Sequence, residues 1–196
     1  MNPDELLELI KTRRSYRTFE DKQINDQQLD MILEAGLYAP NAGGRQSILF
    51  LVTQDKQINE QLGKISRQVA HVVKGRYVSK EQPSIIDNPD IKSALYGAPT
   101  VITLLGPKDF IFSEADCCVA CQNMMLMAHA LGLGSCMISR AALTMNSDFG
   151  KALLEKRELI LKNIVLFIIL LLVIQKGKLQ SKKENHVFIN IKKVYL

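Results

Sequence analysis

Residues 113–134, SEADCCVACQNMMLMAHALGLG, carry the most regular helical pattern of the chain. Ser113 can cap the amino end of a helix, and two acidic residues follow in the first turn, where they suit the positive end of the helix dipole. Gly132 or Gly134 then provides a helix stop. The stretch therefore predicts one long helix followed directly by a strand.

Helical and extended apolar patterns alternate along much of the remaining chain. Short apolar runs predict strands at 47–53, 98–107 and 135–139. Amphipathic segments with polar residues at their starts predict helices at 2–15, 25–40, 56–73 and 146–158. Helices that separate apolar strands indicate an α/β or α+β domain whose sheet is covered by helices.

An apolar run of unusual length occupies residues 159–174. Its uninterrupted part, Ile164 to Ile174, has 11 residues, whereas a membrane-spanning helix needs about 18 or more. β-branched residues are common in it, so we predict a buried strand rather than a membrane span. The stretch from Lys74 to Asp90 is polar and weakly periodic, and we predict a mobile excursion there.

Length and composition are those of a globular domain: 196 residues, 47% hydrophobic and 23% charged. The net charge of +5 arises in the tail, because residues 1–150 carry −2 and residues 151–196 carry +7. The tail lacks interleaved aromatic residues, which disfavours a nucleic-acid interface. No succession of charged, apolar and small residues opens the chain, so we expect no secretory signal and a cytoplasmic protein that binds neither nucleic acid nor membrane.

The cysteine pattern suits reduced thiols better than a disulfide framework, because three of the four cysteines fall within residues 117–121. Cys118 and Cys121 form a CxxC, but no second CxxC or histidine pair accompanies it, so we predict no metal site. Buried thiols on a core-facing helix are the favoured interpretation. The neighbouring methionines are expected to fill the core or an interface, and the three histidines to be structural or exposed.

Two segments carry possible binding chemistry. IKTRRSYRTFED, residues 10–21, gathers three arginines around a serine; guanidinium groups and a hydroxyl suit a phosphate, although a solvated turn at a helix end is the alternative. APNAGGRQS, residues 39–47, has glycines that let a backbone approach a flat ligand and amides that can bind its heteroatoms; the alternative is a connection that needs positive φ. No P-loop or glycine fingerprint follows a strand here, which disfavours a nucleoside triphosphate.

Together with the helix and Gly-Leu-Gly strand of residues 113–134, these segments resemble the FMN-dependent nitroreductase family over about residues 5–150. The resemblance implies an α+β fold with a helix-covered central sheet, mixed or antiparallel, and two FMN sites at a homodimer interface. The first segment matches the family's Arg-X-Ser-X-Arg phosphate element, and the second matches a loop that reaches the flavin from the partner subunit. The cofactor-binding residues that it implies are Arg13, Arg14, Ser15, Arg17, Pro40, Asn41, Ala42, Gln46, Met137 and Ile138, with Lys182 and Lys183 as further phosphate contacts.

The activity implied by the resemblance is hydride transfer from NADH or NADPH through FMN to small acceptors such as nitroaromatics or quinones. Because the flavin performs this chemistry, no side chain is expected to act as a catalytic acid or base. The alternatives are a flavin-binding dimer without reductase turnover, and a relative with another flavin chemistry such as dehalogenation. A basic tail that binds membrane or nucleic acid is a third hypothesis.

The chain departs from the family pattern in two places. Gly44 and Ser47 stand where the family usually has Asn and Pro, and the usual Gly-Tyr and Pro-Arg-Lys segments are missing after Lys156. Resemblance returns only at residues 182–189. We interpret residues 1–196 as a single domain in which about residues 157–180 are either a divergent insert or the product of a reading-frame slip.

Overall fold

The computed structural model describes residues 2–68, 90–138 and 144–156, and the backbone of residues 164–165 and 170–175. The helices in these ranges are α1 (Pro3–Thr12), α2 (Asp26–Leu37), α3 (Lys56–Gln68), α4 (Ser113–Ala130) and α5 (Asp148–Glu155), with a short 3-10 helix at Ala42–Gly44. The strands are β1 (Leu49–Thr53), β2 (Thr100–Pro107), β3 (Leu133–Ile138), β4 (Ile164–Val165) and β5 (Leu170–Gln175). Each helix and strand predicted within the described ranges is present, with ends shifted by a few residues. Residues 74–89 and 176–196, which include Lys182 and Lys183, lie outside the described ranges.

The strands form one antiparallel sheet in the order β1-β2-β5-β3, and β4 pairs with the end of β2. The predicted α+β fold with a helix-covered sheet is confirmed, and the pairings between the described strands are all antiparallel. The apolar run at 159–174 supplies β5, which pairs with β2 on one side and with β3 on the other. The prediction of a strand in this run is therefore correct. Among the described helices, none combines the length and apolar character that crossing a membrane requires.

Polar caps explain where several helices begin. The Asn2 side chain accepts the Glu5 N–H at 2.8 Å, and the Asn25 side chain accepts the Gln28 N–H at 2.8 Å, each within a complete capping box. The predicted cap of α4 is wrong. Ser113 lies inside the helix, and its hydroxyl donates to the Pro107 carbonyl at 2.8 Å, so it joins the start of α4 to the end of β2 instead.

The core has two layers because β2 is buried on both faces. Ile102 and Leu104 pack with α2 and α4 on one side, whereas Val101 and Leu105 pack with the other cluster, which includes residues of α3 and α5. The thiols of Cys117 and Cys121 are buried and Cys118 is exposed, which confirms the core interpretation for two of the three cysteines of the helix; Cys136, on β3, is also buried. Burial raises the pKa of Cys117 to about 12, so this thiol stays protonated at neutral pH.

Candidate functional site

The arginine segment runs beside β3, the last strand in the sheet order. Ser15 forms a parallel bridge with Ser135, and the Tyr16 N–H donates to the Ser135 carbonyl at 3.0 Å. Gly134 permits this approach, because a Cβ there would lie 2.8 Å from Cγ of Tyr16. Since α1 ends at Thr12, the arginines lie on the segment after the helix, as the sequence predicts.

Three predicted residues of this segment influence the thiol of Cys136 in β3. Burial raises the pKa of Cys136, while Arg17, a hydrogen bond from Ser15, and Arg13 lower it in part.

One nitrogen of this group has no hydrogen-bond partner in the part of the chain that the structure describes. Nη1 of Arg13 is buried, and no residue in the described ranges accepts a hydrogen bond from it. Leaving a buried charged donor unpaired costs about 1–3 kcal/mol or more. An anion bound beside Arg13 would satisfy this donor, because oxyanions accept charge-assisted hydrogen bonds from guanidinium groups.

Arg14 does not join the other three residues. Its side chain is exposed, and its Nη1 donates to the carbonyl of Lys11 and, at 2.9 Å, to the carbonyl of Arg13. These are contacts with the carboxyl end of α1, which cations favour. For Arg14 the structure thus matches the alternative interpretation, a cation at a helix end.

The loop of residues 40–46 has a strained backbone. Gly43 and Gly44 have φ of 68° and 62°, and Gln46 has φ of 45°. Glycine adopts this left-handed conformation freely, but a residue with a Cβ loses about 1–2 kcal/mol there. The loop therefore has the positive φ angles that the sequence suggested, and the strain at Gln46 is of the kind that concentrates at functional sites.

Hydrogen bonds hold the loop in this shape. The Asn41 Oδ1 accepts the Gln46 N–H at 2.9 Å, and the Ala42 N–H donates to Oδ1 of Asp116 in α4 at 3.0 Å. The oxygen of Asn41 is thus engaged within the loop. From the sequence, Asp116 is expected only as an acidic residue in a first helical turn; the missed signal is its spacing of four residues from Ala120, which places it on the buried face of α4.

A small cavity of about 20 Å³, enough for roughly one water molecule, lies beside this loop. Asn41, Gln46 and Asp116 contribute polar groups to its lining, and Pro40 is among its apolar neighbours. The loop contacts the first turn of α4, whereas the arginine segment lies near Cys121 and His129, further along the same helix.

The end of β3 holds Met137 and Ile138, the last two predicted cofactor-binding residues in the described ranges. Met137 is 45% exposed, whereas Ile138 is half-buried against the core. Exposure leaves Met137 accessible to a ligand or a partner subunit. The structure thus brings together Arg13, Ser15 and Arg17, keeps Arg14 apart, and places residues 40–46 at a separate part of α4.

Comparison with known proteins gives the context of these segments. A protein of Archaeoglobus fulgidus, described as a candidate NADH dehydrogenase/NAD(P)H nitroreductase, is 33% identical over 132 residues, which are 67% of this chain and 66% of the relative. A protein of the same description from Methanothermobacter thermautotrophicus is 32% identical over 67% of this chain and 59% of the relative. The matched region is thus slightly less than two thirds of the length of these curated relatives.

Solved structures agree in fold. A nitroreductase with bound FMN from Bacteroides fragilis has a TM-score of 0.78 at 25% identity, with 100% of both chains covered. A second, from Desulfitobacterium hafniense, has a TM-score of 0.72 at 23% identity, with 100% of this chain and 99% of that chain covered. The family model named Nitroreductase family matches residues 10–156, a range that holds both candidate segments and all of α4. The resemblance seen in the sequence is thereby confirmed: the chain belongs to the nitroreductase family.

Proposed function

We propose that the protein is an FMN-dependent oxidoreductase that uses NADH or NADPH to reduce small acceptors such as nitroaromatics or quinones. The observation that carries the proposal is Nη1 of Arg13, which is buried and unpaired among the described residues, together with the common influence of Arg13, Ser15 and Arg17 on the Cys136 thiol. Relatives support it, because the Bacteroides fragilis structure contains FMN and the curated relatives are described as candidate NAD(P)H nitroreductases. The buried free thiols suit a reducing compartment, so we assign the protein to the cytoplasm.

The residues present fit the phosphate of FMN. Its oxygens can accept hydrogen bonds from Nη1 of Arg13, from the Ser15 hydroxyl and from Arg17, and the two cations offset its charge. We leave Arg14 out of this proposed set, because its Nη1 bonds carbonyls at the end of α1. We propose Lys182 and Lys183 as further contacts of the FMN phosphate.

When bound, FMN supplies the two-electron transfer between nicotinamide and acceptor. The protein's own residues bind and orient the reactants. Gly43 and Gly44 carry no side chain that would keep a flat ring away from the loop backbone. Gln46 offers an amide for polar atoms of a ligand, and Met137 offers an exposed apolar surface at the end of β3.

We also propose that the protein acts as a homodimer. None of the residues of α1 is buried, and Leu6, Leu7 and Ile10 form an apolar stripe with 45–47% exposure. An amphipathic helix normally packs its apolar stripe, so an exposed stripe suits a second copy of the chain. The arginine segment and the loop of residues 40–46 lie at different parts of α4, which suits a site completed by the partner subunit.

The dimer can be tested through α1. The Leu7→Glu variant is expected to shift the protein to monomers in sedimentation velocity, because it would bury a charge at the interface. Glu8→Lys, a larger change of charge on another side of the same helix, is expected to leave the dimer intact. A dimeric Leu7→Glu protein would exclude this stripe from the interface, and a monomeric wild-type protein would contradict the dimer itself.

The reductase activity can be tested with the visible spectrum of the purified protein, followed by anaerobic addition of NADH or NADPH and then of a nitroaromatic or quinone. We expect flavin absorption bands that bleach with one of the two donors and return with the acceptor. Bands that persist with both donors would contradict the reductase and favour a flavin-binding protein without turnover. The absence of flavin after incubation with FMN would contradict the cofactor.

A further inference from the structure

A buried carboxylate contacts the loop of residues 40–46 from helix α4. Asp116 is only 5% exposed, and its Oδ1 accepts the Ala42 N–H at 3.0 Å. Its second oxygen, Oδ2, is also buried and has no hydrogen-bond partner in the part of the chain that the structure describes. A buried carboxylate is unfavourable unless its oxygens accept hydrogen bonds. The burial of Asp116 is thus unfavourable for stability, and its observed hydrogen bond is made to the loop.

The loop needs such a contact from outside. Ala42 begins the 3-10 helix, and the first N–H groups of a helix find no partner within it. Asp116 provides that partner across 74 positions of sequence. Four residues further along, Gln46 holds a left-handed backbone conformation that a residue with a Cβ disfavours. A strained loop keeps its shape only when surrounding contacts determine it.

We propose that Asp116 is a positioning residue for the cofactor: its bond to Ala42 fixes the loop in the shape in which it binds FMN. This inference rests on the proposed function. A loop that is ordered before binding loses less conformational entropy when the ligand arrives. Loss of the Asp116–Ala42 bond is therefore expected to weaken FMN affinity while the global fold is maintained.

Three variants separate this role from simple support of the helix. Asp116→Ala removes the acceptor, whereas Asp116→Asn keeps an oxygen that can accept the Ala42 N–H. The matched control is Asn123→Ala, because the Asn123 side chain is also on α4 and donates to the Ala35 carbonyl of α2 at 3.2 Å, away from the loop. We expect FMN affinity to fall about 10-fold in Asp116→Ala and no more than about 3-fold in Asp116→Asn. Asn123→Ala is expected to lower the thermal midpoint without changing FMN affinity.

Two measurements decide the outcome. Amide hydrogen exchange of a peptide covering residues 39–47 is followed in the FMN-free proteins, and FMN affinity is measured by quenching of flavin fluorescence. We expect faster exchange of this peptide in Asp116→Ala, with Asp116→Asn and Asn123→Ala close to wild type. Unchanged exchange in Asp116→Ala would overturn the inference, as would faster exchange with unchanged FMN affinity. Wild-type protein that binds no FMN would instead contradict the proposed function, and it would also remove the cofactor role assigned to Asp116.

Discussion

The Arg13→Ala variant is expected to bind FMN about 10- to 100-fold more weakly than the wild-type protein, because hydrogen bonds between charged partners contribute about 1.5–3 kcal/mol. Nη1 of Arg13 is buried without a partner among the described residues, so it is already desolvated before an anion arrives. The wild-type protein thus gains a full charge-assisted bond on binding. Arg17→Ala is also expected to weaken FMN binding, because it removes a second cation that acts on the same thiol, that of Cys136.

Arg14→Ala is the matched control, because it removes the same charge one position further along the chain. The Arg14 guanidinium donates to carbonyls at the end of α1, so we expect less than about a 3-fold change in FMN affinity from its loss. Riboflavin provides a second control, because it carries the ring without the phosphate. Arg13→Ala and wild-type protein are expected to bind riboflavin equally.

Affinities from flavin fluorescence titration, with turnover measured at saturating FMN, test this prediction. Turnover of the loaded Arg13→Ala enzyme is expected to stay near the wild-type value, because Arg13 is proposed to bind the phosphate rather than the reacting ring. Equal losses of FMN affinity in Arg13→Ala and Arg14→Ala would indicate a general effect of charge and contradict a specific phosphate contact of Arg13. A matching loss of riboflavin affinity would indicate a structural change.

Local features of the fold are predictable from the sequence because their causes lie within a few residues. The capping boxes of α1 and α2 join residues three positions apart, and the helical pattern of α4 repeats within its own 18 residues. The position of the arginines after α1 follows from the same local signals. The predicted cap at Ser113 failed because a non-local contact, the approach of α4 to the end of β2, takes its hydroxyl.

The arrangement of the candidate site depends on contacts that no local pattern contains. Neighbouring Arg13 and Arg14 face different surroundings because the segment pairs with β3, and this pairing depends on the bridge between Ser15 and Ser135. The bond from Ala42 to Asp116 joins a loop and a helix 74 positions apart. Sequence alone therefore indicates which residues are suited to binding but not which of them meet.

The order of the sheet is the least local feature of all. The sequence predicts a strand in the apolar run at 159–174, yet nothing in that run specifies its neighbours. In the structure β5 separates β2 from β3, and it lies beyond residues 10–156, the range matched by the family model. The segment that departs from the family pattern, about residues 157–180, thus supplies an interior strand of the described sheet. We therefore expect this segment to be needed for the fold.

The Leu172→Pro variant is therefore expected to be unable to fold. Leu172 pairs with Val101 of β2 and with Cys136 of β3, so it lies at a central position of the sheet. Proline lacks the N–H that a ladder requires and occurs in sheets essentially only at edges or bulges. A proline inside a helix costs about 3 kcal/mol or more, and we expect the free energy of unfolding to fall by at least a similar amount here. A typical domain has a total stability of about 5–15 kcal/mol.

Soluble yield, circular dichroism and thermal unfolding measure this effect, with Leu172→Val as the control because valine keeps the backbone donor and favours strands. The control is expected to unfold cooperatively, with a midpoint within a few degrees of wild type. A Leu172→Pro protein that unfolds at the same temperature as the control would contradict the central position of β5.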